Sequence, residues 1–301
     1  MLQGMIWNTG YHITYEGDKD LTDSVIAVCH QIENSVSIFT EGSLVNRINS
    51  GEDSTTDSIF EKIYSESKRI HKESHGYFDP TLAPLIEAYG FAGKEGSIPN
   101  KNVTDSIMQF VGLYKTVLKD GHLIKEDPRI QFNFSAIAKG YGCDAVGMML
   151  QRNGCENYLV EIGGEVSAHG ISPSGGKWRI QVDKPLFSSE GEIHVAQNII
   201  EITDCGVATS GNYRNFKRNS EGKILGHTFN PFTGEPTEND ILSSTIIAPT
   251  CMEADAYATA CMAMGYSKAK EMVERLDMPA LLISSSGEEW MTESFKKLCV
   301  K

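Results

Sequence analysis

One segment near the C-terminal end restricts the fold more than any other. Residues 251–265 read CMEADAYATACMAMG. The small, apolar side chains surround the helix axis, as in a helix that packs closely against neighbouring elements. The segment nevertheless carries one acid, Asp255, and one hydroxyl, Thr259, four residues later. The fold must therefore place a carboxylate inside an apolar environment.

The spacing of Asp255 and Thr259 predicts a metal site. Thr250 and Glu253 have the spacing of a capping box, so the helix is predicted to begin near Cys251 without using Asp255 as its cap. Residues four apart project from one helix face. A buried carboxylate is costly unless it is paired or bound to metal, and a hard cation accepts Asp, Thr, carbonyl and phosphate oxygens. Alternatively, Asp255 favours the helix N-terminus through the helix dipole or pairs with an arginine.

The order of elements indicates an α+β fold. Helical and strand patterns are interspersed without regular βαβ alternation, which favours a mainly antiparallel sheet with packed helices. No change of composition marks a boundary, so residues 1–301 are predicted to form one domain, with two lobes left open. The predicted helices cover about 21–36, 56–74, 103–112, 137–152, 251–264 and 267–276, and the predicted strands include 11–15, 130–134, 158–162 and 280–284.

The formal net charge of -13, with no lysine- or arginine-rich run, argues against a nucleic-acid partner. An anionic ligand would need local compensation by a metal, a helix N-terminus or placed cations.

The seven cysteines show no zinc-like spacing. No stretch approaches the ~18 apolar residues of a membrane span. The N-terminus lacks a secretory pattern, so we expect a cytosolic chain or an exported one written without its leader.

A second candidate site lies in FNFSAIAKGYGCD, residues 132–144. A predicted strand ends at Phe134, Ser135 is a natural N-cap, and Lys139 falls in the opening turns of the next helix. Free backbone N–H groups and the helix dipole would bind an anion there, while Gly140 and Gly142 allow close approach. The alternative is an ordinary capped helix with a solvated lysine.

Other segments carry weaker signals. In GHTFNPFTGEP, residues 226–236, His227 is placed beside a tight turn, where it could act as acid, base or phosphate ligand or be structural. VATSGNYRNF, with Arg214, lacks a dinucleotide fingerprint. IGGEVSAHG, residues 162–170, is interpreted as a structural hairpin. Aromatic residues beside polar loops could stack on a planar ring or belong to the core: Trp7, Phe39, Tyr77 and Phe78.

Taken together, these motifs resemble a known family. The chain contains, in order, WNTGYHI, SIFTEGSLVNRIN, GYFDPTLAPLI, FSAIAKGYGCD, EIGGEV, VATSGNYRNF, HTFNPFTGEP and EADAYATA. This order is similar to the ApbE family, the FAD:protein FMN transferases formerly called thiamine-biosynthesis lipoproteins, over nearly the whole chain. The resemblance implies a one-domain α+β protein of T-fold-like type that binds FAD and Mg²⁺. It implies cleavage of FAD, transfer of FMN through a phosphoester to a threonine of an acceptor protein, and release of AMP.

The resemblance also implies partners, location and site residues. The acceptor would be a subunit of a redox membrane complex, and the protein would lie in the periplasm or elsewhere outside the cytoplasmic membrane, held by a lipid anchor absent from this chain. The metal ligands would be Asp255, Thr259 and the backbone carbonyl of Ala136. The remaining residues implied are FAD contacts at Asn133, Lys139, Tyr77, Phe78, Asp79 and the backbone of Phe229, and flanking aromatics at Trp7 and Phe39. For the proton of the acceptor threonine, we expect His227 or a neighbouring acid to act as the acceptor.

The sequence departs from the family pattern in several places. Trp7-Asn8-Thr9 stands where some members have Met-Gly-Thr, and Ala258 where some have a second acid; Asn133, Asn212 and Asn230 replace a common Asp. The Trp7-Asn8 change leaves open whether transfer or hydrolysis dominates, so an FAD pyrophosphatase that releases FMN and AMP is one alternative. A flavin carrier without chemistry and an unrelated acidic α+β protein in which Asp255 is structural are two others.

Overall fold

The computed structural model describes residues 1–91, 98–185, 196–211, 216–218, 224–237 and 240–300. It divides into two compact units. The first comprises Met1–His30, Lys139–Arg214 and Asn239–Lys301, and the second comprises Gln31–Ala138 and Asn215–Glu238. Each unit is built from separate stretches of the chain, so sequence-distant residues share one core. The predicted single domain over 1–301 stays a prediction.

Helices and strands alternate irregularly along the described chain, as the sequence predicts. The helices are α1 (Thr22–Val36), α2 (Leu44–Ser50), α3 (Ser58–Glu73), α4 (Ala83–Ala88), α5 (Lys101–Met108), α6 (Ala138–Arg152), α7 (Cys251–Met264), α8 (Tyr266–Arg275) and α9 (Glu293–Lys296). The strands are β1 (Leu2–Ile6), β2 (Thr9–Tyr15), β3 (Thr116–Lys119), β4 (His122–Lys125), β5 (Tyr158–Ile162), β6 (Glu165–His169), β7 (Trp178–Asp183), β8 (Ala196–Ile202), β9 (Cys205–Gly211), β10 (Phe216–Arg218), β11 (Ile224–Gly226), β12 (Ile241–Ala248), β13 (Ala280–Ser284) and β14 (Glu289–Met291).

The first unit is organised by an eight-stranded sheet. Its order is β1-β2-β5-β6-β9-β12-β13-β14, and every neighbouring pair in this sheet is antiparallel. One apolar cluster lies between β2, β5 and the inner face of α6, with Ile13, Val160 and Val146 fully buried. A second lies between β6, β7, β8 and β13. The predicted α+β class with mainly antiparallel sheet is confirmed.

Helix α7 is buried almost completely, as its sequence predicts. It packs against β9 and β12. A Cβ added to Gly206 of β9 would overlap the backbone of Cys251, so this strand and the start of the helix approach as closely as a glycine permits. In the middle of the helix, the Ser244 hydroxyl of β12 donates a hydrogen bond of 2.7 Å to the carbonyl of Ala258. Both contacts fix the helix against the sheet.

The second unit has an aromatic core. Phe60 and Tyr64 of α3 pack against Phe132 and Phe134, which lie in the segment predicted to be a strand over 130–134. That prediction is wrong, because this segment is not a strand. The side-chain amide of Asn49 accepts from the N–H of Phe132 at 2.7 Å and donates to its carbonyl at 2.9 Å, as a neighbouring strand would. One side chain thus replaces the strand partner.

Across the described ranges, no helix combines the length and apolar character needed to cross a membrane.

Candidate functional site

Asp255 and Thr259 lie on α7 as the sequence predicts. The hydroxyl of Thr250 accepts the Glu253 N–H at 3.2 Å and caps the helix, which begins at Cys251. Asp255 is buried, whereas Thr259 is half-buried. The Thr259 hydroxyl lies 3.3 Å from the hydroxyl of Ser210 on β9. The acid and the hydroxyl therefore share one helix face beside the end of β9.

The N-terminal turn of α6 contacts α7 at Asp255. The backbone N–H of Gly140 donates a hydrogen bond of 3.0 Å to Oδ2 of Asp255. A Cβ on Gly140 would lie 2.8 Å from the Cβ of Asp255 and would overlap the carbonyl of Cys251. The sequence predicted close approach at Gly140, and the structure shows that the approaching group is helix α7. The carboxylate is therefore placed by helix packing as well as by the hydrogen bond.

This contact predicts a large effect for Gly140→Ala. Alanine usually stabilises a helix by about 1 kcal/mol relative to glycine, but here the methyl group meets backbone that cannot rotate away. We expect a net destabilisation of about 2–3 kcal/mol, the cost of overpacking a core, measured by urea denaturation. Gly142→Ala is the matched control in the same helix. The atoms facing Gly142 are the ring edge of Trp7, which can shift, so a similar loss in both variants would contradict the backbone argument.

Lys139 and Glu165 form an ion pair beside Asp255. Lys139 is the second residue of α6, and its ammonium group contacts Oε1 of Glu165 at the start of β6. Burial alone lowers the pKa of Lys139, but the carboxylates of Glu165 and Asp255 outweigh it and raise that pKa above its ordinary value. We call Lys139, Glu165 and Asp255 the acid–lysine cluster. It holds two carboxylates and one ammonium group.

The ionised form of Asp255 is costly in this environment. Burial is the main cause that raises the pKa of Asp255 to about 7; Lys139 opposes this rise and Glu165 adds to it. One lysine and one backbone N–H do not fully compensate two neighbouring carboxylates. The site therefore favours a further positive charge. The groups that act on Asp255 among the described residues are Lys139, Glu165, the Gly140 N–H and Asp144.

Sequence reasoning missed two acids of this region. The sequence places Glu165 in a structural hairpin. Strands β5 and β6 do form that hairpin, with Gly163 and Gly164 at positive φ, but Glu165, the first residue of β6, carries a buried carboxylate. Asp144 of α6 accepts the N–H groups of Cys251 and Met252 at 3.0 and 2.9 Å. Asp144 thus binds the N-terminus of α7 to α6. An acid directly after a Gly-Gly turn is the signal that the sequence offers for Glu165.

The donor atoms of α7 fit a hard divalent cation. In the described ranges no group of three His, Cys, Asp and Glu side chains is placed to bind a metal, so a site here would use few protein ligands. Mg²⁺ in proteins is bound by one or two carboxylates and completes its shell with water and substrate phosphates. A buried carboxylate with a hydroxyl one turn later matches that pattern. Ala136, the third expected ligand, lies in a turn of the second unit over 135–137, and its role stays a prediction.

Trp7 lies in the turn between β1 and β2. Trp7 and Asn8 both adopt left-handed backbone, with φ of 51° and 59°, a conformation that is uncommon for tryptophan. The indole ring lies against Gly142, where a Cβ would overlap it. Its Nε1–H is buried and finds no hydrogen-bond acceptor among the described residues. A strained aromatic with an unpartnered donor is a candidate ligand contact.

In the second unit, the aromatic candidates differ in exposure. Phe39 is 66% exposed in a turn. Tyr77 packs edge-to-face against Phe232 with ring centroids 4.9 Å apart. Phe78 is buried, and its carbonyl contacts Nδ1 of His71 at 2.8 Å. Phe39 is therefore available for stacking, whereas the ring of Phe78 belongs to the core.

Two polar candidates of the second unit shape their own loops. Asp79 accepts from the N–H of Thr81 at 2.8 Å and from the N–H of Leu113 at 3.1 Å, so its carboxylate already joins two loops. Asn133 accepts the N–H of Ser135 at 2.9 Å, as an aspartate could at this position. Helix α6 begins at Ala138, so the predicted N-cap at Ser135 is wrong. A contact of these residues with a cofactor stays a prediction.

The remaining candidates lie around the 226–236 turn. His227 is half-buried immediately after β11. Phe229 is buried edge-to-face against Tyr89, with ring centroids 5.0 Å apart. Asn230 accepts the N–H of Phe232 at 2.9 Å and forms the predicted turn. Asn212 and Arg214 lie outside the described residues.

Comparison with known proteins identifies similar sequences and folds. The model of the ApbE family matches residues 7–282. The chain is 33% identical over 247 residues to FAD:protein FMN transferase of Escherichia coli, covering 79% of this chain and 69% of that protein. It is 30% identical over 314 residues to FAD:protein FMN transferase of Vibrio cholerae, covering 100% and 92%. The apo structure of Pseudomonas stutzeri flavinyl transferase ApbE matches with a TM-score of 0.88 and 29% identity, over 99% of this chain and 95% of that one.

Proposed function

Because this chain belongs to the ApbE family and is a transferase, we propose that it is a Mg²⁺-dependent FAD:protein FMN transferase. In the proposed reaction the hydroxyl oxygen of an acceptor threonine attacks the phosphorus of the FMN half of FAD. A new P–O bond forms, the bridging P–O bond of the diphosphate breaks, and AMP leaves. No oxidation state changes in this reaction, and the proton of the threonine hydroxyl must pass to a base.

One observation carries the proposal for the metal: a fully buried Asp255, with a pKa raised to about 7, shares a helix face with Thr259. A carboxylate held at this cost is explained by a cation that binds it. Mg²⁺ at this position would neutralise charge on the diphosphate as the bridging bond breaks. The Ala136 carbonyl would complete the protein ligands.

Lys139 would bind the diphosphate from the N-terminal turn of α6. Its ammonium group contacts Glu165 and interacts electrostatically with Asp255, and the N-terminus of the helix adds a favourable dipole. Trp7 supports a contact with the flavin or the adenine, because its buried indole N–H needs an acceptor. The resemblance to the family further supports FAD contacts at Phe39, Tyr77, Phe78, Asp79, Asn133 and the backbone of Phe229.

His227 would accept the proton of the acceptor threonine, since a neutral imidazole is an effective base near neutral pH. The acceptor itself would be a subunit of a redox membrane complex. We further propose that the reaction takes place outside the cytoplasmic membrane.

The proposal is tested with purified protein, FAD, Mg²⁺ and a redox-complex subunit that carries a flavinylated threonine in its mature form. We expect flavin fluorescence on the denatured acceptor and one AMP for each FMN attached. The matched control is the same acceptor with that threonine changed to valine, which must stay unlabelled. AMP and unattached FMN in equal amounts would instead support a pyrophosphatase. FAD binding without any AMP release would overturn the proposal of an enzyme acting on FAD.

A further inference from the structure

Glu165 holds a buried charge that the metal ligands and FAD contacts proposed above do not use. Its side chain is 5% exposed, and Oε1 contacts the ammonium group of Lys139. The other oxygen, Oε2, is buried and has no hydrogen-bond partner among the described residues. A carboxylate oxygen left without a donor in the interior is costly. The structure therefore keeps this charge at a cost that packing alone does not explain.

The neighbouring charges make the environment of Lys139 negative. Glu165 and Asp255 both interact with Lys139, and two ionised carboxylates outnumber one ammonium group. Asp144 adds another carboxylate nearby, although the N–H groups of Cys251 and Met252 and the hydroxyl of Ser167 compensate it. An incoming diphosphate would meet excess negative charge at the lysine that is meant to bind it. A divalent cation would reverse that excess.

We propose that Glu165 makes binding of a diphosphate ligand conditional on the divalent cation. Glu165 neutralises Lys139 and keeps the acid–lysine cluster negative until the cation arrives, so the metal must bind before or together with the diphosphate. This inference rests on the proposed function, because it assigns metal and diphosphate to this cluster. Glu165 is thus a positioning residue that acts through Lys139 and sets the order of binding.

The test measures the binding of FAD, and separately of inorganic pyrophosphate, by isothermal titration calorimetry in EDTA and in Mg²⁺. The buffer is held at pH 8.5 in all titrations, well above the ordinary pKa of a carboxyl group. For the wild-type protein we expect binding about tenfold or more weaker in EDTA than in Mg²⁺. In Glu165→Gln this ratio should fall below about threefold, chiefly because binding in EDTA becomes tighter as a repulsive charge is removed.

Two further variants separate charge from structure. Glu201→Gln removes one exposed carboxylate of β8 that pairs with Arg179, and it should keep the wild-type ratio. Glu165→Asp retains the charge and should restore most of the metal dependence. If Glu165 were only structural, Glu165→Gln would weaken binding equally in both buffers, and this outcome would overturn the proposal.

The wild-type protein alone also tests whether diphosphate binding depends on the divalent cation. Equal binding of pyrophosphate in EDTA and in Mg²⁺ would overturn the proposal even if FMN transfer occurs. A metal-dependent ratio that disappears in Glu165→Gln would support it even if no acceptor is labelled, in which case the proposed transferase reaction fails on its own.

Discussion

Asp255→Asn is expected to abolish Mg²⁺-dependent FMN transfer while making the metal-free protein more stable. Asparagine is nearly isosteric and can still accept the Gly140 N–H, so the contact between α6 and α7 is kept. It removes the anionic ligand of the cation, and the loss of that charge stabilisation should lower turnover by about a thousandfold or more. It also removes a carboxylate whose burial is uncompensated.

The gain in stability has a defined pH dependence in EDTA. The pKa of Asp255 is raised from 3.8 to about 7 in the folded protein, so between these values the folded chain holds a proton that the unfolded chain has released. The contribution of Asp255 to wild-type stability therefore falls as pH rises from about 4 to about 7 and then levels off. The advantage of Asp255→Asn should grow over the same window and reach roughly 7 °C in melting temperature above pH 7.

The measurements are single-turnover transfer with Mg²⁺ and thermal unfolding in EDTA between pH 5 and 8.5. Asp23→Asn is the matched control, because Asp23 is an exposed acid in the first turn of α1. It should change neither quantity. Wild-type turnover in Asp255→Asn would remove Asp255 from the metal site, and a lower melting temperature above pH 7 would show that its charge is compensated.

The part of the site that lies within one helix could be predicted from the sequence. The capping box fixes where α7 begins, and the spacing of four residues then places Asp255 and Thr259 on one face. The apolar composition around them predicts burial. Each of these conclusions depends on the spacing of residues within one helix, which can be read from the sequence.

Contacts between distant segments could not be predicted in the same way. Glu165 meets Lys139 only because the hairpin of β5 and β6 packs beside the start of α6. The wrong strand over 130–134 has a similar cause: the partner of Phe132 is the side chain of Asn49, 83 residues earlier. The carboxylate of Asp79 also accepts the N–H of Leu113, 34 residues later, and its contact with FAD stays a prediction. Tertiary neighbours decide what such polar residues do.

Lys139→Met is expected to destabilise the metal-free protein and to lower FAD affinity. About a third of the lysine side chain remains exposed, but its partner Glu165 is 5% exposed, so the main cost falls on the carboxylate that is left unpaired. Removing one member of a buried ion pair costs about 3 kcal/mol. The free energy of unfolding is measured by urea denaturation in EDTA at pH 8.5. Lys296→Met, which breaks an exposed pair with Glu293, should cost no more than about 0.5 kcal/mol.

The double variant Lys139→Met with Glu165→Gln tests whether that cost is electrostatic. If the loss in Lys139→Met comes from the unpaired Glu165 carboxylate, neutralising Glu165 should restore at least about 1 kcal/mol of it. FAD affinity should stay low, because the ammonium group that would bind the diphosphate is still missing. Additive losses in the two single variants would mean that the pair is not coupled. Neutralising Glu165 can restore stability, but binding of the diphosphate requires the lysine itself. A double variant that regains FAD affinity as well as stability would therefore show that Lys139 does not contact FAD.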